Sequence, residues 1–423
     1  MTAATLDATT VQGILKRYFK NTAVQNSIAA KKSAVWKMMK KTTDGGGDYC
    51  SFTQVLNDPF TVSPDFDVAQ DLAKTSTVNV GLKFNMPWQE LNAPIRVSAK
   101  ANQLTQTNKV AWFKAIGLAA AAAMRMAHHW LSIQALGHGW GELANSGIVY
   151  GGSGATFSVI NGAVNKFVEG MPLVFADDAT SMHTNALRSA TAIKVTNVDY
   201  GTGDITCDTA LTTPGAQNGD YVFLSGARQN LGSGTAVRVC PVGARDWLPE
   251  VRPVTDTTIS TLEGTARTGS SRAYGNWVDG TGKDDLDALA ELATASVVIG
   301  NATSLKCTVS YKRYQAMANG LRTDRRFEDT NGNSGFIKLS IAGADINVEI
   351  EVDKNQEDDV GYMWQAGAYE AVGAGEIPFI QDQGGQWVRV SDDNSSELRV
   401  YAVYAFIMND PAACGVCSFE ALS

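Results

Sequence analysis

The chain has 423 residues, with 35 Lys and Arg against 43 Asp and Glu, for a net charge of -8. Its 44% hydrophobic content excludes wholesale disorder, and a single core stops growing near about 250–300 residues, so more than one lobe is predicted. Charged residues make up only 18%, below the roughly 25% of an average soluble domain, which points to surface covered by partners.

The opening residues 1–10 are small and polar, without a signal-like apolar stretch. The longest apolar run, 115–124, lies between Lys114 and Arg125 and has ten residues, against the about 20 that a membrane span needs. No membrane contact is expected. Six scattered cysteines (Cys50, Cys207, Cys240, Cys307, Cys414 and Cys417) fit buried free thiols in a reducing cytosol better than a disulfide framework.

Charge is unevenly distributed. Lys16, Arg17, Lys20, Lys31, Lys32, Lys37, Lys40 and Lys41 lie in a stretch, 8–43, that holds no acid. Setting these eight aside leaves 27 basic and 43 acidic residues, a body of -16. Val11, Ile14, Leu15, Tyr18 and Phe19 recur at helical spacing, as do Ile28, Val35 and Met39, predicting two short basic amphipathic helices. Such a tract is either a solvated helical face or a contact for a polyanion. No nucleic-acid-reading motif accompanies it, so contact with nucleic acid would be confined to the backbone.

After Gly45–Gly47, residues 77–86 alternate as a strand, and a second run at 95–99 follows a turn predicted at 87–94. Together they predict a hairpin of about 30 Å, and an isolated two-stranded hairpin must lie on something else to be stable. Residues 107–136 carry the longest helical signal, about 45 Å at 1.5 Å per residue, with Gly137 and Gly139 as terminators. Residues 150–253 change to short strands between Gly, Thr, Asn and Asp turns: 193–198, 204–206, 221–224 and 237–239. Helices are predicted at 284–299 and 311–319, and strands at 307–310, 346–352 and 398–408. The fold class is α+β with an added β module.

The templates for chemistry fail. Ser153 has Gly151 before it but Ala155 after it, so no nucleophile elbow is present. Gly282-Lys283 leads to Asp284, which breaks a phosphate-cradling loop. Asp329, Asn331 and Asn333 open like a calcium loop but continue with Ser334 and Ser340 where Gly and Glu are needed. Cys414 and Cys417 form a lone pair without the second pair of a zinc site. His128 and His129 point to different sides of a helix. The acidic runs 353–359 and 392–393 read as solvated turns. No catalytic, cofactor or metal residues are assigned, and the chain is not read as an enzyme.

The order of these parts resembles a tailed-phage major capsid protein of the HK97-like fold. The resembling pieces are the basic arm before Gly45, the segment Val80-Gly81-Leu82-Lys83-Phe84-Asn85-Met86-Pro87-Trp88, the long helix, and the closing strand with Asn409-Asp410-Pro411-Ala412-Ala413. The resemblance implies a basic arm (1–48), an extended loop (49–106), the spine helix of a peripheral domain (107–150) and a β-rich insertion (151–253). It further implies a peripheral connection (254–283), an axial domain (284–375) and closing strands (376–423). In this reading Val80, Leu82, Lys83, Phe84, Met86 and Trp88 serve inter-subunit contact, and the eight basic residues face the shell interior. The implied function is self-assembly as hexamers and pentamers into an icosahedral shell around double-stranded DNA. The implied partners are a separate scaffolding protein, a portal, decoration proteins and the packaged DNA; the implied location is the virion, after synthesis in a bacterial host's cytoplasm. Two other readings stay open: an encapsulin-like compartment around a protein cargo, and a β-rich hydrolase or adhesin.

Overall fold

In the computed structural model residues 5–6, 33–57, 62–75, 80–98, 109–144, 147–152, 154–159, 162–177, 187–189, 191–227, 239–250, 260–267, 271–324, 339–343, 346–381, 388–389 and 395–420 are described. The chain order begins β1 (Thr5–Leu6), α1 (Ala34–Met38), β2 (Lys40–Thr42), β3 (Tyr49–Asn57), α2 (Phe66–Thr75), β4 (Val80–Pro87), β5 (Gln89–Ser98) and α3 (Lys109–Leu136). Short strands follow: β6 (Thr156–Ser158), β7 (Pro172–Ala176), β8 (Ile193–Asp199), β9 (Asp204–Cys207) and β10 (Tyr221–Leu224). Then come α4 (Ala244–Trp247), β11 (Thr261–Leu262), β12 (Thr265–Ala266), β13 (Asn276–Asp279), α5 (Asp285–Gly300), β14 (Leu305–Val309) and α6 (Tyr311–Asp324). Strands complete it: β15 (Leu339–Gly343), β16 (Ile346–Val352), β17 (Val360–Gln365), β18 (Tyr369–Gly373), β19 (Phe379–Gln381), β20 (Val388–Arg389), β21 (Ser395–Met408) and β22 (Gly415–Ser418).

One sheet runs β1-β5-β21-β18-β2, with β19 and β20 also paired to β21. Its spine is the antiparallel pairing of β5 with β21, from Gln89 opposite Tyr404 to Ser98 opposite Ser395. Helix α3 packs on this sheet. Its alanine run, 119–123, has high helix propensity, and its last turn is anchored where Tyr369 Oη donates to Ala135 O at 2.7 Å and Tyr404 Oη donates to Gln134 Oε1. The Gly137 amide closes the helix on Ile133 O at 3.0 Å. Gly243 permits α4 to approach this end, because a Cβ there would stand 2.2 Å from Gly137 O.

A second sheet runs β13-β22-β17-β14-β16-β15, so the last strand of the chain is threaded between β13 and β17. Helix α5 covers it with Ala288, Leu289, Leu292, Ala293 and Ser296, one face of a helix. That helix starts where Asp284 accepts from the Leu286 amide at 3.2 Å and carries Asp285 and Asp287 against its positive end. Asn301 at φ 52° ends it. The third sheet, β10-β7-β8-β9-β6, contains the strands predicted at 193–198, 204–206 and 221–224, while the strand predicted at 237–239 lies, but for residue 239, outside the described residues. Phe157 sits edge-on to Phe167 and Phe175, with centroids 6.1 and 5.7 Å apart.

Three expectations are corrected. Strand β4 does form, but it pairs with β3, not with 95–99; a single residue, Trp88, separates it from β5, too few to reverse the chain. The turn predicted at 87–94 is therefore largely strand. The periodicity around Ile28, Val35 and Met39 does not continue as one helix through the described residues. Helix α1 has five residues, Met39 turns extended at ψ 132°, and 40–42 join β18 in parallel. The 353–359 run is not solvated: Asp353, Asn355, Gln356, Glu357 and Asp358 are all buried.

Candidate functional site

The basic tract meets the body through acids. Ser33 caps α1, accepting from the Trp36 amide at 3.3 Å, while its hydroxyl donates to Asp353, which also accepts from the Val35 amide at 3.0 Å. Val35 and Trp36 are buried. Lys40 and Lys41 are exposed, yet Lys40 Nζ is 3.4 Å from Glu370 and Lys41 Nζ stands 5.0 Å above the Trp36 ring. Lys37 is exposed. Lys16, Arg17, Lys20, Lys31 and Lys32 lie outside the described residues.

The β3–β4 ribbon has two unlike parts. At its base Phe84 and Met86 are fully buried: Phe52 stacks on Phe84 at 5.4 Å, and Trp247 meets both rings at 5.2–5.8 Å. Leu82 and Trp88 are half-buried and Lys83 is exposed; the side chain of Val80 is not among those described. Trp88 Nε1 donates to Gly47 O at 2.9 Å. Gly45 is needed for this corner, since a Cβ there would lie 2.5 Å from the Trp88 ring and 2.7 Å from Gly373 O. Toward the tip the pattern inverts. Val55, Val62, Phe66 and Val68 are exposed, four of the eleven exposed large hydrophobic side chains among the described residues, while Tyr49, opposite Pro87, is exposed at the base. Phe66 is 77% exposed at the start of α2. Exposed apolar side chains thus gather on β3 near its end and on the segment and helix that join it to β4.

A third constellation escaped the sequence reading. The 353–359 loop joins β16 to β17, both paired with β14, and side chains from five other segments converge on it. Lys166 Nζ is 2.5 Å from Glu357 Oε1, and Arg245 Nη1 is 3.2 Å from Glu357 Oε2 while also pairing with Glu250. Asn355 Nδ2 donates to Ser132 Oγ of α3 at 2.6 Å. Arg313 Nε of α6 donates to Asp358 O at 2.9 Å. Burial pushes the Glu357 carboxyl up, but Lys166 and Arg245 outweigh it and hold the group below the usual range. Burial and the Glu357 charge push Asp359 up to about 6. The signal available in sequence was a polar run between two strongly apolar strands. Its partners, at 166, 245 and 313, are too distant in the chain to be paired by inspection.

The described cysteines are free thiols, and burial pushes Cys414 and Cys417 up to about 12, away from the thiolate that ligates metal. His129 faces Lys166 O at 3.2 Å, and burial holds it down at about 4. Among the described residues no cluster of His, Cys, Asp and Glu is arranged to hold a metal ion, and no helix is long and apolar enough to cross a membrane. The calcium-like run at 329–340 falls almost wholly outside the described residues.

No family model and no curated protein matches the sequence. Solved structures do match the fold. A chain of the cyanophage A-1(L) capsid asymmetric unit is 9% identical, with 94% of this chain and 96% of that one covered, at a TM-score of 0.52. The capsid of a native GTA particle is 9% identical over 95% of both chains at a TM-score of 0.47, and the capsid of cyanophage P-SCSP1u is 10% identical over 96% and 95% at 0.42. The cyanophage A-1(L) match carries the comparison, one architecture held along almost the whole chain at negligible sequence identity: this chain is folded as that capsid chain is.

Proposed function

We propose that this chain is the major capsid protein of a tailed phage with the HK97-like architecture, assembling as hexamers and pentamers into an icosahedral shell around double-stranded DNA. The observation that carries the reading is the fold likeness to the cyanophage A-1(L) capsid over 94% of the chain. The concentration of exposed apolar side chains on the ribbon supports it independently. In this reading α3 is the spine helix, and with the β21 sheet it forms the peripheral domain. The six-stranded sheet with α5 and α6 is the axial domain, taking in β13 and β22, and the five-stranded sheet is the insertion. The ribbon is the extended loop: its base, Phe84 and Met86, belongs to the subunit's own core, and Lys83 with the tip residues faces a neighbour. The basic residues 16–41 face inward, toward a scaffolding protein during assembly and toward DNA afterwards, with a salt-sensitive, sequence-independent contact. Synthesis takes place in the bacterial host, and a portal and decoration proteins complete the particle.

Particles purified from the natural source are expected to contain this chain as their most abundant protein and to enclose nuclease-resistant double-stranded DNA. Particles filled with an enzyme cargo and no DNA would replace this reading with a storage compartment.

A further inference from the structure

Three side-chain oxygens at the junction of α3, the β module and the 353–359 loop have no hydrogen-bond partner among the described residues: Glu142 Oε2, Asn355 Oδ1 and Gln356 Oε1. All three residues are at least nine-tenths buried, and all three line one cavity of about 10 Å³, the space of a single water. The amide orientations are fixed by their nitrogens. Asn355 Nδ2 donates to Ser132 Oγ at 2.6 Å, and Gln356 Nε2 donates to Thr308 O and Val360 O at 2.7 and 2.8 Å. Three buried acceptors on residues that line one small space lack a donor among the described residues, and an unmet buried acceptor costs about 1–3 kcal/mol. A metal cation is disfavoured there, because Lys166 and Arg245 line the same cavity.

We propose that this cavity is a proton-binding site: Glu142 carries a proton on Oε2 and donates it to Asn355 Oδ1 or Gln356 Oε1, directly or through one enclosed water. The proton joins three parts of the fold, since Glu142 follows α3 and bridges to Phe223 of β10 while the two amides sit on the loop between β16 and β17. Glu142 Oε1 is already used, accepting from the His138 amide at 3.2 Å, so Oε2 is the oxygen left to titrate. The groups facing it are His138 beside it, the buried Cys240 thiol, Arg245 and Asp246 from α4, Lys166 from the turn 163–166, Glu357 from the loop and Tyr362 from β17. His138 is engaged with Asp246 at 3.3 Å and Lys166 and Arg245 with Glu357, and among the described residues none of these groups lies within hydrogen-bond reach of Oε2. Burial raises the Glu142 carboxyl above its ordinary value, outweighing the pull of His138 and Lys166. The sign follows. Above the unfolded value the folded chain holds the proton longer, so the site's contribution to stability declines as pH rises through the folded value. The junction is tight when protonated and loosens when the proton leaves.

The test compares the full-length chain with Glu142→Gln, whose amide supplies the donor permanently. The two are expected to melt together near about pH 5 and to diverge by about 2–4 °C in favour of the variant near about pH 8. The wild type should also show the infrared carbonyl band of a buried protonated carboxylic acid, fading as pH rises and missing from E142Q. A variant that is less stable by the same amount at both pH values, with no band lost, would overturn the proposal. Should E142Q fail to fold, the wild-type band decides alone, and its absence at every pH would refute the site.

Discussion

Replacing residues 58–79 with an Asn-Gly turn is expected to leave a folded chain that no longer builds shells. Asn57 and Val80 are register partners, so a two-residue turn of the type that Asn-Gly favours can close the ribbon there. The replacement keeps the Phe52, Phe84 and Trp247 cluster. It removes Val62, Phe66 and Val68, which are 73%, 77% and 49% exposed and so contribute little to the isolated subunit. Circular dichroism and melting should be close to wild type, whereas sedimentation should show subunits or small rings in place of shells. Wild-type-sized particles from this variant would remove the ribbon tip from the assembly mechanism. Excising residues 74–100 would not serve, because it takes β4 and β5 out of two sheets and Phe84, Met86 and Leu91 out of the core.

Glu357→Gln is expected to be the most damaging single substitution outside the apolar core. It leaves Lys166 and Arg245, both buried, facing a neutral amide, and breaking a buried ion pair from one side costs about 3–5 kcal/mol. The carboxyl is held below its ordinary value, so its contribution is present above the unfolded pKa of about 4.3 and is lost as pH falls through the folded value. The deficit of the variant should therefore be full at neutral pH and shrink in acid. Pairing it with Lys166→Met removes one stranded charge and should recover part of the loss, a coupling that a double-mutant cycle measures. A cost below about 1 kcal/mol at neutral pH would mean that the three charges are solvated in practice.

Local signals read well. Asp284 and the acids behind it mark the start of α5, the alanine run marks α3, alternation marks β16 and strand-rich composition marks β21, because caps, propensity and side-chain period are properties of neighbouring residues. Pairing was not legible. The partner of β5 lies some three hundred residues away in β21, and the partner of β4 lies on the far side of α2, so alternation at 77–86 identified a strand without saying what it faced. The 353–359 run failed for a related reason. A charge cluster in sequence looks the same whether water or Lys166, Arg245 and Arg313 surround it. Ile28, Val35 and Met39 predict the second of two short basic helices, yet Val35 and Met39 are buried while the backbone beyond them completes a sheet. The resemblance to a shell protein rests on the order of parts along the sequence, and the likeness of fold to the cyanophage A-1(L) capsid runs along 94% of the chain.

In the proposed function this chain works by touching copies of itself. Electron microscopy of the purified full-length chain, alone and with a candidate scaffolding protein, measures this most directly. It predicts closed shells of uniform diameter with ring-shaped capsomers in their walls. A chain that stays monomeric at every concentration and ionic strength, with or without the scaffold, would contradict it.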